Sequence, residues 1–136
     1  MRVIGDSIQN DIVDEVKRAR IFSIIADEVT DAANREELSI AIRYVLGSEI
    51  KEVFVDFVEV ARITGEVLAH SILQWIRAHG LSPTDMRGQC YDGASNMSGA
   101  RSGCKSIVKQ EAPLAMYYHC GAHRLNLAVV SGIQEC

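Results

Sequence analysis

The stretch that most constrains this chain is Ile21–Asp31, which reads Ile-Phe-Ser-Ile-Ile-Ala-Asp-Glu-Val-Thr-Asp. From Phe22 to Ala26 it is apolar on both faces, as a strand buried on both sides would be. Asp27 and Glu28 then fall where that strand should end. Carboxylates at the mouth of a buried strand are costly to desolvate unless they are paired or hold a cation. A strand end pointing into solvent accounts for the same placement, so the position alone does not define a site.

The neighbouring segments supply the context for this strand. Ile4, Ile8, Ile12, Val13 and Val16 recur at helical spacing, with Asp6, Asn10, Asp14, Lys17 and Arg18 on the other side. This pattern predicts an amphipathic helix from Ile4 to Ala19, leading into a first strand over Ile21–Val29. Asp31 and Asn34 mark a turn. Leu38, Ile40, Ile42, Tyr44 and Leu46 then alternate with Ser39, Ala41, Arg43 and Val45, which is the period of a second strand. Gly47-Ser48 makes a tight connection to a third, Glu49–Val60, with Val53, Val55 and Phe57 expected on one face. Glu52, Asp56 and Glu59 interrupt it, as charge does at a sheet edge.

Thr64 should cap a helix over Gly65–His79 whose stripe of Leu68, Ile72, Trp75 and Ile76 is buried and which Gly80 stops. A short fourth strand, Met86–Tyr91, ends at Asp92. Ser95 and Asn96 read as caps for a helix from Ser98 to Gln110, broken by Pro113. Met116–Cys120 is a fifth strand and Ala122–Ile133 a last helix.

A three-strand meander followed by alternating helices and strands is the order of an α/β, ribonuclease H-like fold. It predicts a mixed five-stranded sheet in the order 3-2-1-4-5, flanked by helices. The first strand is then central and the fourth lies beside it in parallel. Asp27 and Asp92 would share one end of neighbouring strands. Two carboxylates so placed suit Mg²⁺ or Mn²⁺, which take hard oxygen ligands and act on phosphates.

Bulk composition limits the possibilities. The chain has 136 residues, 48% of them hydrophobic and 24% charged, enough for one folded domain spanning residues 1–136. No apolar run approaches the ~20 residues of a membrane span, so no membrane partner is expected. Met1–Gly5 lacks the design of a secretory signal, and an intracellular protein is expected rather than a secreted one. Cys90, Cys104, Cys120 and Cys136 are dispersed, without a Cys-x-x-Cys pair, and read as reduced thiols. The net charge of −4 is the wrong sign for a dedicated DNA-binding domain.

Three blocks carry a family resemblance: Phe22–Asp31, Gly88–Gly99 (Gly-Gln-Cys-Tyr-Asp-Gly-Ala-Ser-Asn-Met-Ser-Gly) and His119–Leu127 (His-Cys-Gly-Ala-His-Arg-Leu-Asn-Leu). In that order they resemble the catalytic domain of hAT-superfamily transposases, and within it transposon-derived proteins related to the MYM-type zinc finger group. The resemblance implies that Asp27 and Asp92 are the first two metal-binding catalytic aspartates, with Mg²⁺ or Mn²⁺ as cofactor. It implies a nuclear setting, with DNA as the partner of an intact relative, and leaves room for a homo-oligomer. Cys120 and His123 match the family's Cys-x-x-His element, either as a DNA-proximal or as a structural feature. The family's third carboxylate, a Glu on a late helix beyond a large helical insertion, has no match before Cys136. The expectation is therefore the N-terminal part of a transposase core, inactive alone. The alternative is a domesticated or decayed module acting through protein contacts.

The remaining candidates have plainer readings. Asp31 anchors a turn. Glu28 alternates to the face opposite Asp27 and reads as a solvated strand end. Glu66 lies in the first turn of a helix, where the dipole favours it as readily as a metal would. Cys120 and His123 form only half a zinc site, so Cys120 reads as a buried strand residue and His123 as sitting at a helix start near the acidic pair. A small ribonuclease H-like nuclease would need further carboxylates, for which only Glu66 is available.

Overall fold

The computed structural model describes residues 2–134, with side chains over residues 5–133. The side chain of Ile4, counted above in the first apolar stripe, and the thiol of Cys136 lie outside the described residues. The elements are α1 (Arg2–Ala19), β1 (Phe22–Thr30), β2 (Glu36–Leu46), β3 (Glu49–Glu59), α2 (Gly65–Ala78), β4 (Met86–Tyr91), α3 (Ser95–Ser98), α4 (Cys104–Glu111), β5 (Met116–His119) and α5 (Gly121–Gln134). The strands form one mixed sheet in the order β3-β2-β1-β4-β5. β1, β2 and β3 are antiparallel neighbours, while β4 runs parallel to both β1 and β5. The expected fold class and strand order are both present.

The meander is built by local chemistry. Asp31 Oδ1 accepts from the backbone N–H of Ala33 and of Arg35, each at 2.8 Å, and its other oxygen takes the Arg35 guanidinium at 2.8 Å. The carboxylate is committed to a turn, as read from the sequence, and these bonds hold its pKa below the usual range. Gly47 supplies the left-handed backbone (φ 63°) of the β2–β3 turn.

One face of the sheet carries the core. Phe22, Ile24 and Ala26 of β1 meet Leu38, Ile40, Ile42 and Tyr44 of β2, all buried. Leu68, Ile72, Trp75 and Ile76 of α2 close over them, together with Val13 and Val16 of α1 and Val108 of α4. The Thr64 hydroxyl accepts from the Val67 N–H at 3.3 Å and starts α2. The helix ends with Leu81 N–H on the Ile76 carbonyl and Gly80 N–H on that of Arg77, each at 3.0 Å, the paired bonds of a Schellman stop. α1 is pinned to the sheet by Glu15, whose carboxylate accepts from Tyr44 Oη at 2.6 Å and Lys51 Nζ at 2.7 Å.

The fold departs from the sequence reading at two places. Val53, Val55 and Phe57 do not share a face. A bulge between the pairs Ile40↔Asp56 and Ala41↔Phe54 inserts a residue into β3. Val55 is buried, while Phe57, paired with Ser39, turns to the other side and is 52% exposed. The bulge also aims Asp56 at α2, where its carboxylate accepts from the Trp75 indole N–H at 2.9 Å.

The helix expected from Ser98 to Gln110 begins only at Cys104, as α4, and a separate single turn, α3, precedes it. Gly99 and Gly103 pack backbone to backbone between them, so close that a Cβ on Gly103 would lie 2.3 Å from Gly99 N. The same segment is pressed on the start of α2, where a Cβ on Gly65 would lie 2.2 Å from the Ser102 carbonyl oxygen and 2.7 Å from that of Asn96. Helical periodicity cannot register a break made by backbone contact between glycines.

Candidate functional site

The parallel pairing of β1 with β4 matches Ile24 to Gln89 and Ile25 to Cys90. Two residues further along each chain stand Asp27 and Asp92. Both therefore reach the same end of adjacent strands, Asp27 within β1 on the face away from α2 and Asp92 just past the end of β4. Asp27 is exposed and Asp92 half-buried. The Ser39 hydroxyl donates to the Asp27 carbonyl at 3.1 Å.

Asp92 sits at a sharply defined turn. Its Oδ1 accepts from the Ala94 N–H at 3.0 Å, a local turn bond available to a short carboxylate. Its carbonyl accepts from Tyr117 Oη at 3.0 Å, and the next ladder bond, Cys120 N–H to the Tyr91 carbonyl at 2.8 Å, continues the β4–β5 pairing to the same level. The Ser98 hydroxyl reaches back to the Gly93 carbonyl at 2.9 Å. The loop after β4 is thus held at several points.

Glu28 corrects the sequence reading. It does lie on the face opposite Asp27, but it is half-buried and bonded rather than solvated. Its Oε1 accepts from Asn96 Nδ2 at 2.6 Å, across 68 residues of chain. Burial pushes its carboxyl pKa up, the Asn96 hydrogen bond pulls it down, and the charges of Asp92 and Asp27 push it up again. Asn96 likewise is no helix cap. Ala94 is the N-cap residue of α3 and makes no side-chain cap bond, so neither Ser95 nor Asn96 caps it. The Glu28–Asn96 bond was not legible in the sequence, since both residues have ordinary local roles at a strand end and in a loop.

Cys120 follows β5 and is half-buried, not a core residue. It lies beside Cys90, whose thiol pKa is raised chiefly by burial and further by Cys120. His123 is in the first turn of α5, its ring stacked on His119 with centroids 5.6 Å apart. His119, not singled out from the sequence, has Nε2 buried without a hydrogen-bond partner among the described residues. Glu66 is exposed in the first turn of α2. Among the described residues, no group of three or more His, Cys, Asp or Glu side chains comes together closely enough to hold a metal ion. The donor chemistry of Asp27 and Asp92 suits one hydrated hard cation, with water filling the remaining positions, and does not by itself provide a cage for two.

A mixed sheet in this order, with acidic residues at the paired ends of its two central parallel strands, defines a ribonuclease-like α/β domain. Residues 1–103 match the family described as the ZMYM1/FAM200 RNase-like domain (DUF4371), and the chain belongs to that family. It is 28% identical over 139 residues to the human "52 kDa repressor of the inhibitor of the protein kinase", covering 98% of this chain and 18% of the relative. The mouse protein of the same description is 30% identical over 132 residues, covering 93% of this chain and 17% of the relative. The chain thus spans less than a fifth of the curated relatives it matches. The membership supports the resemblance to transposon-derived, MYM-type-related proteins. Among the described residues, no helix is long and apolar enough to cross a membrane.

Proposed function

We propose that this chain is the part of an hAT-type transposase catalytic core that carries the first two carboxylates, Asp27 and Asp92, and that it does not cleave DNA by itself. The observation behind this reading is the β1–β4 register, which brings residues distant in sequence to one end of two neighbouring strands. Asp27 and Asp92 would hold Mg²⁺ or Mn²⁺ through carboxylate oxygens. A divalent ion there supplies Lewis-acid stabilisation of phosphate charge. The protein's own part is to fix the two carboxylates: the sheet holds Asp27, and the Asp92–Ala94 turn bond orients the other. That turn bond occupies one Asp92 oxygen and leaves the second for a cation. In-line phosphoryl transfer needs its ions fixed against the attacking and leaving oxygens, which two carboxylates and water do weakly. Work on DNA would place such a protein in the nucleus, and its net charge of −4 leaves DNA affinity to other parts of an intact relative.

Manganese titration followed by electron paramagnetic resonance tests the reading. Weak Mn²⁺ binding is expected, lost in Asp27→Asn and in Asp92→Asn. Binding that survives both substitutions would sink it. In a duplex nicking assay with Mn²⁺, the unmodified chain should stay at background. Cleavage abolished by both substitutions would show instead that two aspartates suffice.

A second reading is favoured by a different observation. The sheet face away from α2 exposes Val45, Ile50, Phe54, Phe57, Met116 and Tyr118. Exposed apolar area of this kind marks contact surfaces. A module that acts through protein contacts, as the word "repressor" in the relatives' description would suit, uses that face and needs neither aspartate.

A further inference from the structure

We infer that Glu28 is a positioning residue, a latch that holds the Asp92 loop against the end of β1 by accepting from the Asn96 side chain. The inference rests on the cation-binding role proposed for Asp27 and Asp92. Three observations carry it. The bond is short, 2.6 Å, and joins the residue next to Asp27 to α3, the single turn that follows the Asp92 loop. Asn96 is held from its own side as well, since its Oδ1 accepts from the Met97 N–H at 3.0 Å and its carbonyl packs against Gly65. Glu28 is also placed correctly for the task. Alternation turns it to the α2 side of the sheet, behind the edge at which Asp27 points outward.

The geometry shows what the latch does. β4 ends at Tyr91, so the Asp92 side chain belongs to a loop and not to the ladder. The internal bonds of that loop, Ala94 N–H to Asp92 and Ser98 Oγ to the Gly93 carbonyl, fix its shape but not its distance from β1. Tyr117 Oη on the Asp92 carbonyl ties the segment to β5, and the Glu28–Asn96 bond is the side-chain bond that ties it to β1. Two carboxylates meant to share a cation repel one another when it is absent, and the latch opposes that repulsion from the far side. A hydrogen bond between two half-buried side chains leaves both short of a partner when it is broken, so one such bond is enough to matter.

Amide hydrogen exchange and Mn²⁺ titration on the whole chain test the latch together. Glu28→Ala and Asn96→Ala should each speed exchange at the Ala94 and Ser98 amides by about tenfold, and weaken Mn²⁺ binding by a similar factor, with β2 amides unchanged as the sign that the sheet is intact. Glu28→Gln keeps an oxygen that can accept from Asn96, so it should restore both loop protection and Mn²⁺ binding to within about twofold. Unchanged loop exchange in Glu28→Ala would overturn the inference. So would a Glu28→Gln protein that keeps loop protection but loses Mn²⁺ as Asp27→Asn does, since Glu28 would then be a cation ligand. If the unmodified chain binds no Mn²⁺, the reading of the aspartate pair fails, and the exchange arm alone still decides whether the latch exists.

Discussion

The two faces of this sheet have been treated in opposite ways. On one, α1, α2 and α4 bury Phe22, Ile24, Leu38, Ile40 and Ile42 almost completely. On the other, Phe54, Phe57, Met116 and Tyr118 are each more than half exposed. α5 follows β5 in the chain, and Leu125, Leu127, Val129, Val130 and Ile133 are exposed along it. The strands are the same strands, so the difference is not one of β propensity. It shows that stability in this domain is concentrated in one layer contact, while the other face and α5 keep apolar surface available to another occupant.

The sharpest way to break the comparison is to truncate a side chain on the covered face. Ile72 is fully buried between α2 and the sheet, and Ile72→Ala should cost about 2–5 kcal/mol. Denaturant unfolding checks this, and a cost below about 1 kcal/mol would mean that the covered face is loosely packed. Gly65→Ala comes next. Its new Cβ meets backbone oxygens of Ser102 and Asn96 that cannot swing aside, so a loss of about 1–3 kcal/mol is expected, felt also as faster exchange in the loop after β4.

The open face should behave differently. Phe54→Ser with Tyr118→Ser should change unfolding free energy by only about 0.5 kcal/mol at each site, while reducing self-association in sedimentation velocity. A loss as large as that of Ile72→Ala would show that α5 or another segment covers this face in solution.

The smallest effect concerns acid. Glu15, which ties α1 to the covered face, has its pKa lowered first by the Lys51 bond and then by that of Tyr44, and Asp31 is lowered by its bonds to Arg35 and Ala33. Groups depressed in the folded state stabilise it above their unfolded values, 4.5 for Glu15 and 3.8 for Asp31, and that stabilisation is lost as pH falls through the depressed values. Both are surface groups, so a modest fall in melting temperature below pH 4 is expected, with α1 amides losing protection before those of β1. Lys51→Met should remove most of the α1 part of this response.

What could be read in advance followed from patterns with a fixed period. The apolar run of β1, the alternation of β2 and the stripe of α2 each name their element and its buried side, and their order implies the sheet. Asp31 was legible because Asp, Ala, Asn and Arg in that spacing make a local turn. The failures share a cause. Phe57 changed face because a bulge adds one residue without any local mark. The helix expected from Ser98 starts only at Cys104, after the segment where Gly99 meets Gly103 through backbone contact. Glu28 and Asn96 are joined by a bond that neither neighbourhood announces. The sequence placed Asp27 and Asp92 at strand ends, but the support behind them depends on tertiary contacts that no single-segment reading contains.

The β1–β4 pairing also orders events in folding. The meander β1–β2–β3 is made of neighbours in sequence and closes through short turns, so it can form early. Pairing β4 with β1 spans β2, β3 and α2, so it closes a long loop and is a costlier, non-local contact. On this ground Asp27 and Asp92 are expected to come together after the meander has formed. A cation bridging them, as proposed, would bind only once both strands are paired and would stabilise that paired state by mass action.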